Sequence, residues 1–310
     1  MRRAERKSQT PTPKSQGIPP APRGGRTAAW ALLLLLAACE PEPPPSPPAP
    51  PPPPQVPEPP LPPLADVAFP AWEEVEPEHH PALPAGAAEP LRWGFPEGRR
   101  FGYAFDQTVR QVTTAAQGER SGSMNGRDRN GGTFEVVGRG SGTAGVLVSI
   151  ESREAFRDDK AVSVEESRQK GPSKFEAELR EDGAATIKRL GEGSDAQLFF
   201  DLLLALREGS RTAEGGATVT TRIAGRRKVG RNECVRLETE MEFAGPTPGG
   251  RRLLRGRSVG YFDPAEGRFI RASAAVSASQ RQNGKDKLGG WVTQSVDSRT
   301  HFRVELLRSP

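Results

Sequence analysis

Few side chains of this 310-residue sequence have the types and spacing that catalysis requires. A Ser-His-Asp triad needs a histidine, and His301 is the single histidine between residues 91 and 310. His301 shares its strand parity with charged residues, which predicts that it faces water. Asp158-Asp159 and Glu165-Glu166 resemble the paired carboxylates of glycoside cleavage, but acids at hairpin ends are ordinarily solvated. The sequence therefore predicts a protein that is not an enzyme, and it indicates no catalytic residue.

Cofactor and metal motifs are equally weak. Residues 140–145 match the glycine pattern of dinucleotide sites, but such a site needs a helix after it, whereas Val146 to Ile150 is strand-like. His79-His80 beside Glu78 offers a loose metal site, and a dedicated site needs three or four ligands on a rigid frame. We therefore expect no cofactor and no metal, with His79 and His80 in a solvated linker.

The strongest chemical signal is Cys39, which ends the run Leu36-Ala37-Ala38-Cys39. An apolar stretch of about 11 residues, Ala28 to Ala38, precedes it, and a leader with seven basic residues and one acid comes first. A membrane-spanning helix needs about 20 residues, so this length fits the apolar region of a cleaved signal peptide. The sequence thus predicts a signal peptide over residues 1–38, with an uncleaved anchor as the alternative.

The same four residues resemble the lipobox of bacterial lipoproteins. The resemblance implies that the Cys39 thiol receives a diacylglycerol, that a signal peptidase cuts before it, and that the new amino terminus is acylated. Two acyl chains suffice for stable anchoring, because each buried methylene adds roughly 0.8 kcal/mol. In enteric bacteria an aspartate after the cysteine favours the inner membrane, and Glu40 stands there instead. The expected location is the cell envelope, anchored to the outer membrane and facing the periplasm.

Residues 39–90 have the composition of an acidic, proline-rich linker. Pro41 to Pro63 is almost entirely proline, which can neither pair in a sheet nor bury a core. A polyproline II spacer of this length rises about 3.1 Å per residue and reaches on the order of 70 Å. Recognition of the proline run by an aromatic groove is the alternative. We expect residues 39–90 to be a disordered tether that holds a folded domain, residues 91–310, away from the membrane.

The charges separate along the chain, although the whole sequence has a net charge of only +5. Residues 39–90 carry nine acidic and no basic residues, whereas residues 91–310 carry 37 basic and 29 acidic ones. A basic domain of this kind attracts lipid phosphates, lipopolysaccharide, acidic wall polymer or its own tether. Export makes nucleic acid a poor partner.

Two basic clusters stand out within the domain. If they lie together, they form a patch that binds phosphate or carboxylate polymers through forked guanidinium contacts. If they lie apart, each is a solvated hairpin. The candidate anion-binding residues are Arg226, Arg227, Lys228, Arg231, Arg251 and Arg252, followed in the sequence by Arg255 and Arg257.

Alternating apolar and polar residues dominate residues 91–310 and predict an antiparallel β domain. Tyr261 to Ile270 is a predicted hairpin, and Trp291 to Leu307 is predicted to close the sheet as its last strand. Cys234 is alone in this domain and is predicted to be a buried, inert thiol. The other predicted strands include Phe101 to Val109, Phe134 to Val137, Val146 to Ile150, Phe175 to Leu179, Ala185 to Ile187, Thr218 to Ile223 and Val235 to Phe243, with turn clusters at Gly118 to Gly132 and at 181–183.

One segment breaks the alternation and predicts a helix at about residues 194–208. Ser194-Asp195-Ala196-Gln197 has the spacing of a capping box, and Gly209 is a plausible stop. The apolar residues between them cover roughly 240° of a helix, whereas a helix on one surface needs about 100°. Such a helix is either enclosed by a curved sheet, or it lines a cavity or contacts a lipid or a partner.

The order of lipobox, tether, antiparallel strands, apolar helix and long final strands resembles the periplasmic lipoprotein-carrier and lipid-binding half-barrels. The resemblance implies a mainly β fold, in which a curved antiparallel sheet wraps one helix and holds acyl chains. It implies that Leu198, Phe199, Leu202 and Leu206 line an apolar cavity. Two functions therefore compete. One is binding or carrying an apolar ligand, and the other is an envelope scaffold that contacts wall polymer, lipopolysaccharide or a protein through its basic surface.

Overall fold

The computed structural model describes residues 57–85, 90–163, 174–188, 196–213, 216–247, 249–286 and 288–307, without the side chains of residues 196–199. Within these ranges the strands form one antiparallel sheet. The helices are α1 (Trp72–Val75) and α2 (Ala196–Leu203), and neither is long and apolar enough to cross a membrane. The strands are β1 (Ala82–Leu83), β2 (Arg100–Gln117), β3 (Arg120–Gly138), β4 (Thr143–Arg157), β5 (Lys160–Val162), β6 (Lys174–Arg180), β7 (Ala185–Ile187), β8 (Gly209–Thr212), β9 (Thr218–Val229), β10 (Asn232–Thr247), β11 (Gly250–Asp263), β12 (Arg268–Lys285) and β13 (Trp291–Leu306).

Several predicted features lie outside the described residues. They are the signal peptide over residues 1–38, Cys39, the tether up to Val56, Glu165-Glu166, and the capping box at Ser194-Asp195.

The strand order is β1-β9-β10-β11-β12-β13-β2-β3-β4-β6-β7, with β5 beside β4 and β8 beside β9. Most neighbours are hairpins that follow one another in the chain. β13 lies in the middle of the order, because it pairs with β12 on one side and with β2 on the other. The predicted last strand, Trp291 to Leu307, is confirmed as β13, but it joins the two halves of the sheet instead of standing at its edge.

The sheet is strongly curled into a half-barrel around α2. The helix contacts β7, at one end of the strand order, and also β10, β11 and β12 in the other half. In a flat sheet, strands stand about 4.8 Å apart and these contacts would be out of reach. The predicted fold, a curved antiparallel sheet wrapping one apolar helix, is confirmed.

Strand β11 shows which residues face the hollow, because successive side chains point to opposite faces. Leu254 and Phe262 belong to the core around α2, and the Ser258 hydroxyl donates a hydrogen bond to the Leu202 carbonyl oxygen at 2.6 Å. Arg255 and Arg257 point the other way. We call the face toward α2 the concave face and the opposite one the convex face.

The predicted hairpin at Tyr261 to Ile270 joins β11 to β12. The Asp263 carboxylate accepts hydrogen bonds from the backbone N–H groups of Ala265 and Glu266, at 3.0 and 3.2 Å. Gly267 has a φ of 61°, a left-handed conformation that glycine adopts readily. This hairpin is confirmed with the turn chemistry that its sequence indicates.

The segment Gly118 to Gly132, predicted as turns, is mostly strand. Residues 118–119 turn, and β3 then runs beside the whole of β2. A Cβ at Gly132 would lie 2.0 Å from the Ser149 carbonyl oxygen, so glycine here permits close strand approach at a bulge. The prediction was wrong because pairing with β2 and β4 outweighs the weak local preference for strand.

The observed helix α2 is shorter than the helix predicted at residues 194–208. α2 ends at Leu203, the chain continues without helical structure, and Gly209 begins β8 instead of stopping the helix. The N–H group of Leu206 donates a hydrogen bond to the Asp182 carbonyl oxygen at 3.2 Å. Leu204 and Leu206 are buried outside the helix, so the 240° arc overstates the apolar surface of α2.

Candidate functional site

One end of the concave face is filled by buried aromatic side chains. The ring centroids of Trp93 and Phe269 are 5.4 Å apart, and Tyr103 stacks on Phe134 at 4.7 Å. The Tyr103 hydroxyl donates a hydrogen bond to the Phe269 carbonyl oxygen at 3.1 Å. Burial raises the pKa of that hydroxyl far above its usual range. This end of the hollow is hydrophobic core.

The other end contains a cavity of about 230 Å³ between α2 and strands β2, β10, β11, β12 and β13. Leu202, Met241 and Leu254 are almost fully buried, whereas Val276 and Val296 remain half-buried. The cavity therefore grades from core into an open groove. Its apolar lining is Val109, Leu202, Met241, Leu254, Val276, Ala278, Val296 and Phe302, and its polar lining is Gln107, Gln111, Arg252, Gln280, Ser298 and Thr300.

The amides Gln107, Gln111 and Gln280 line this groove, and hydrogen bonds connect two of them to further amides beside it. Gln280 donates a hydrogen bond to Gln282 at 3.0 Å, and Gln282 donates one to Gln294 at 2.7 Å. Asn130 donates a hydrogen bond to Gln107 at 3.0 Å. We call the five residues of these hydrogen bonds the groove amides. Apolar walls beside a few polar groups are the usual lining of a small-molecule site. The groove thus has the surface chemistry that an amphipathic molecule requires.

The residues predicted to line one cavity from the helix do not all lie at the same cavity in the structure. Leu202 does line the concave cavity. Leu206 lies beyond α2 and lines a different pocket of about 720 Å³, together with Arg180 and Glu208. The side chains of Leu198 and Phe199 lie outside the described part of the chain. Sequence reasoning missed the groove amides, although inward parity at Gln280, Gln282 and Gln294 was a usable signal.

Polar contacts fix α2 in the hollow. The Asp201 carboxylate accepts a hydrogen bond from Arg211 of β8 at 3.0 Å, and Asp201 is almost fully buried. Gly256 lies under the helix, where an added Cβ would approach the Leu202 side chain to 3.2 Å. The missing side chain lets α2 lie close to β11, which places Leu202 in the cavity wall.

Residues 57–85 cover part of the convex face, and we call them the strap. The guanidinium of Arg255 donates hydrogen bonds to the Asp66 carboxylate and the Val67 carbonyl oxygen, at 3.0 and 2.7 Å. β1, within the strap, pairs with β9. The prediction of a disordered tether through residue 90 is therefore wrong for residues 57–85. The acidic tether contacts its own basic domain, one of the partners that the charge separation indicated.

Four strap carboxylates meet arginines of the sheet. Besides the Asp66 contact, Glu76 bonds Arg236 at 2.6 Å. Glu74 bonds Arg299, and Glu78 bonds both Arg271 and Arg303. These four acids, which the sequence placed in a solvated linker, thereby neutralise part of the convex face.

Apolar strap residues add a small core on the same face. Val75 packs with Cys234 and Tyr261. Aromatic or branched residues at positions 69, 72 and 75, three apart, were the sequence signal for this packing. Cys234 is fully buried, as predicted, and burial raises its thiol pKa to about 12, with a smaller contribution from Asp263. His80 packs edge-on against Tyr261, with ring centroids 4.8 Å apart, so its prediction as solvated linker is wrong.

His301 lies on the convex face beside the strap, and its side chain is 40% exposed, consistent with the prediction that it faces water. Its Nε2 is 3.1 Å from the Glu74 carboxylate. Burial lowers the pKa of His301, Glu74 opposes that effect, and Arg299 and Arg110 lower the pKa further. Its parity with charged residues was identified correctly, but the strap that covers this face was not foreseen.

The two predicted basic clusters lie at opposite ends of β10. Arg227 pairs with Cys234, whereas Arg252 pairs with Gly245. At roughly 3.3 Å per residue the two points are about 35 Å apart along the strand. The clusters therefore do not form the single anion-binding patch that their sequence suggested.

Several members of these clusters already contact carboxylates on neighbouring strands. Arg226 bonds Glu233 at 2.8 Å, and Arg255 bonds Glu242 at 2.9 Å. Arg257 bonds Glu240 at 2.8 Å. The exposed members are Lys228, Arg231 and Arg251.

No protein-family model matches the chain, and no curated protein sequence matches it. Among solved structures, the chain is similar to lipovitellin, in a structure concerned with lipid–protein interactions in that protein. The identity is 13% and the TM-score 0.41, over 70% of this chain and 26% of the lipovitellin chain. This chain thus spans about a quarter of that protein.

Two bacterial structures are also similar. A DUF1329 family protein from Desulfovibrio piger is 11% identical with a TM-score of 0.14, over 62% of this chain and 83% of the other. A domain described as an outer membrane lipoprotein-sorting protein, from Vibrio parahaemolyticus, is 8% identical with a TM-score of 0.17, over 66% and 86%. TM-scores below 0.5 carry no argument about function.

Proposed function

We propose that this protein is a lipid-anchored lipoprotein of the cell envelope that binds an acyl-bearing ligand in the concave groove, without transforming it. The observation that carries the proposal is the half-buried apolar wall, including Val276 and Val296, beside uncharged amides at the open end of the hollow. Apolar groups left partly in water gain roughly 0.8 kcal/mol per methylene when they are covered. An acyl chain supplies that cover.

The size of the cavity determines how much of the ligand it would enclose. Its volume of about 230 Å³ is below the range of roughly 300–1,000 Å³ that encloses drug-sized ligands. We infer that the cavity takes the end of an acyl chain, near Leu202, while the rest of the ligand lies along the groove. The groove amides would then hydrogen-bond an ester or head group, and Arg252 adds a positive charge to the same lining.

Anchoring follows from Cys39, whose acylation the lipobox implies. Because the strap contacts the sheet, a spacer between Cys39 and the strap would comprise residues 40–56. A polyproline II segment of that length reaches about 50 Å. Such a spacer would hold the groove near the outer membrane, within reach of lipid on the periplasmic side.

The alternative function is an envelope scaffold that contacts wall polymer, lipopolysaccharide or a protein through a basic surface. It has less support, because Arg226, Arg255 and Arg257 already contact carboxylates and the two basic clusters are far apart.

Native mass spectrometry of the full chain purified from its host tests the proposal. We expect a co-purified acyl lipid with the wild type, and its loss in Val296→Arg, where the new side chain enters the groove but its charge can reach water. Leu147→Arg is the matched control, since Leu147 is an exposed apolar residue of β4 outside the groove. Circular dichroism establishes that both variants fold. Retention of the lipid by folded Val296→Arg contradicts the groove as its site.

A further inference from the structure

Three arginines lie side by side in one register row on the convex face. Arg299 of β13 pairs with Arg110 of β2, which pairs in turn with Arg127 of β3. Directly opposite side chains on one face have Cβ atoms about 4.5–5.5 Å apart, and like charges placed so destabilise a sheet. We call Arg110, Arg127 and Arg299 the arginine row.

Carboxylates of the described residues compensate one end of this row. Arg299 donates a hydrogen bond from Nε to Glu74 at 2.6 Å, so the strap already places one anion there. Arg127 stacks on the ring of Phe156, which pairs with it from β4, at 4.4 Å to the centroid. Within the described part of the chain, neither Arg110 nor Arg127 has an ion-paired acid. Two adjacent guanidinium groups therefore retain their donors and their mutual repulsion.

The row forms one wall of a cleft of about 580 Å³, a typical volume for a ligand site. Val67 and Ala68 of the strap form another wall, and Val112 adds apolar surface. Two acids also line the cleft, Asp159 and Asp297, and Asp297 is bound by Arg281 at 2.9 Å. Positive charge thus lies next to apolar surface in one recess.

We propose that this cleft binds a phosphate group carried by a ligand with an apolar body. Guanidinium groups donate paired hydrogen bonds that match phosphate oxygens, and the bound anion would cancel the repulsion between Arg110 and Arg127. The apolar strap residues and Phe156 would contact the body of the ligand. The three arginines point away from the concave groove, although Gln111, Ala278 and Ser298 line both recesses. The phosphate site therefore goes beyond the proposed function and is tested through its own arginines.

Thermal unfolding of the full chain in maltoside micelles, titrated with inorganic phosphate at constant ionic strength, tests this site. A ligand that binds the folded state raises the melting temperature by mass action. The test variant is Arg110→Gln/Arg127→Gln. The matched control is Arg100→Gln/Arg139→Gln, which removes two exposed arginines that pair with Glu135 and Glu178 away from the cleft.

We expect phosphate to stabilise the wild type and the control saturably, with at least tenfold weaker apparent affinity in the test variant. Without phosphate, the test variant should melt no lower than the wild type, because a repulsion has been removed. An equal phosphate response in the wild type and the test variant overturns the proposal, as does the absence of any response in the wild type.

Mixed micelles identify the source of the phosphate. Stabilisation by phosphatidylglycerol but not by phosphatidylcholine, lost in Arg110→Gln/Arg127→Gln, indicates an anionic lipid head group. Response to inorganic phosphate with no difference between the two lipids indicates a soluble phosphate ester. If folded Val296→Arg retains its lipid, the concave groove is rejected as the lipid site, but the phosphate site is not. The two proposals therefore fail separately.

Discussion

Glu76 of the strap and Arg236 of β10 form an ion pair between residues 160 positions apart in the sequence. Arg236 donates from Nε and from a terminal nitrogen to one carboxylate oxygen of Glu76, at 3.0 and 2.6 Å. The Glu76 side chain is 14% exposed, and the Arg236 side chain is 13% exposed. Burial alone would lower the pKa of Arg236, but its bonds with Glu76 and Glu238 outweigh burial and raise it. The pair therefore stays charged and fastens the strap to the sheet.

Replacing Glu76 by glutamine should destabilise the protein by about 2 kcal/mol, because hydrogen bonds to charged groups contribute roughly 1.5–3 kcal/mol. Glu73→Gln removes the same charge from an exposed position of α1 and should change the unfolding free energy by less than about 0.5 kcal/mol. Urea unfolding of both variants measures the difference. Equal stability of the two variants would show that the strap is not held by this pair.

Cys234 reports whether the strap is bound. Its thiol is buried with Val75 and has a pKa raised to about 12, so iodoacetamide should alkylate it very slowly at neutral pH. Glu76→Gln should speed alkylation by roughly tenfold or more, since exposure of Cys234 would then cost less free energy. Mass spectrometry over time measures the rate, in a Cys39→Ala background that leaves Cys234 as the single thiol. Identical rates with and without Glu76 would contradict a strap that gates this cysteine.

Glu78 should make the strap sensitive to acid. Its hydrogen bond from Arg271 lowers the pKa to about 2, against an opposing effect of burial, with further lowering by the charges of Arg271 and Arg303. A folded pKa below the unfolded value of 4.5 gives stability that is present above about pH 4.5 and lost as the pH falls toward about 2. The carboxylate is 47% exposed, so the effect is modest and screened by salt.

The measurement compares wild type with Glu78→Gln by urea unfolding at several pH values. The stability gap between them should be largest near neutral pH, shrink below about pH 4.5 and decrease in high salt. A gap that is constant from neutral pH to about pH 2 would exclude Glu78 as the titrating group.

Local signals predicted the local structure well. Alternation located β10 at Val235 to Phe243, and Asp263 with Gly267 identified the hairpin, because these choices depend on residues close in the sequence. The prediction found β3 at Phe134 to Val137 but missed its first part, whose glycines serve contacts with β2 and β4. The strap was missed because proline and acid dominate its composition, while its partners, such as Arg236, lie far along the chain.

The candidate sites also differ in whether their residues are close together or far apart in the sequence. Leu202 was found because apolar residues cluster around it in the sequence. The arginine row was not, because Arg110, Arg127 and Arg299 come from three separate strands and meet through the order β13-β2-β3. These arginines lie side by side only because β13, β2 and β3 are neighbours in this register. Strand order and register depend on pairing across the whole sheet.

Cys39 is predicted to be the sole lipidation site. Cys39→Ala should abolish incorporation of labelled palmitate and leave an uncleaved or soluble protein, since modification and cleavage both depend on the thiol. Cys234→Ala is the control and should label like the wild type, because that thiol is buried in the folded domain. Equal labelling of wild type and Cys39→Ala would refute the assignment.

The connection from α2 to β8 depends on Gly183. This residue has a φ of 83°, and an added Cβ would lie 1.9 Å from the Leu204 carbonyl oxygen. Gly183→Ala must therefore displace the backbone that follows α2, and we expect a loss of about 3 kcal/mol or more. Gly98 is the matched control, with a φ of 74° and no atom within 4 Å of an added Cβ. Gly98→Ala should cost about 1 kcal/mol, the conformational penalty alone.

If α2 positions Leu202 in the groove, Gly183→Ala should also reduce lipid co-purification in the fraction that remains folded, while Gly98→Ala should not. Melting curves and native mass spectrometry on the same samples separate the two effects. Equal melting temperatures for the two variants would mean that the chain after α2 adjusts freely and does not hold the helix in place.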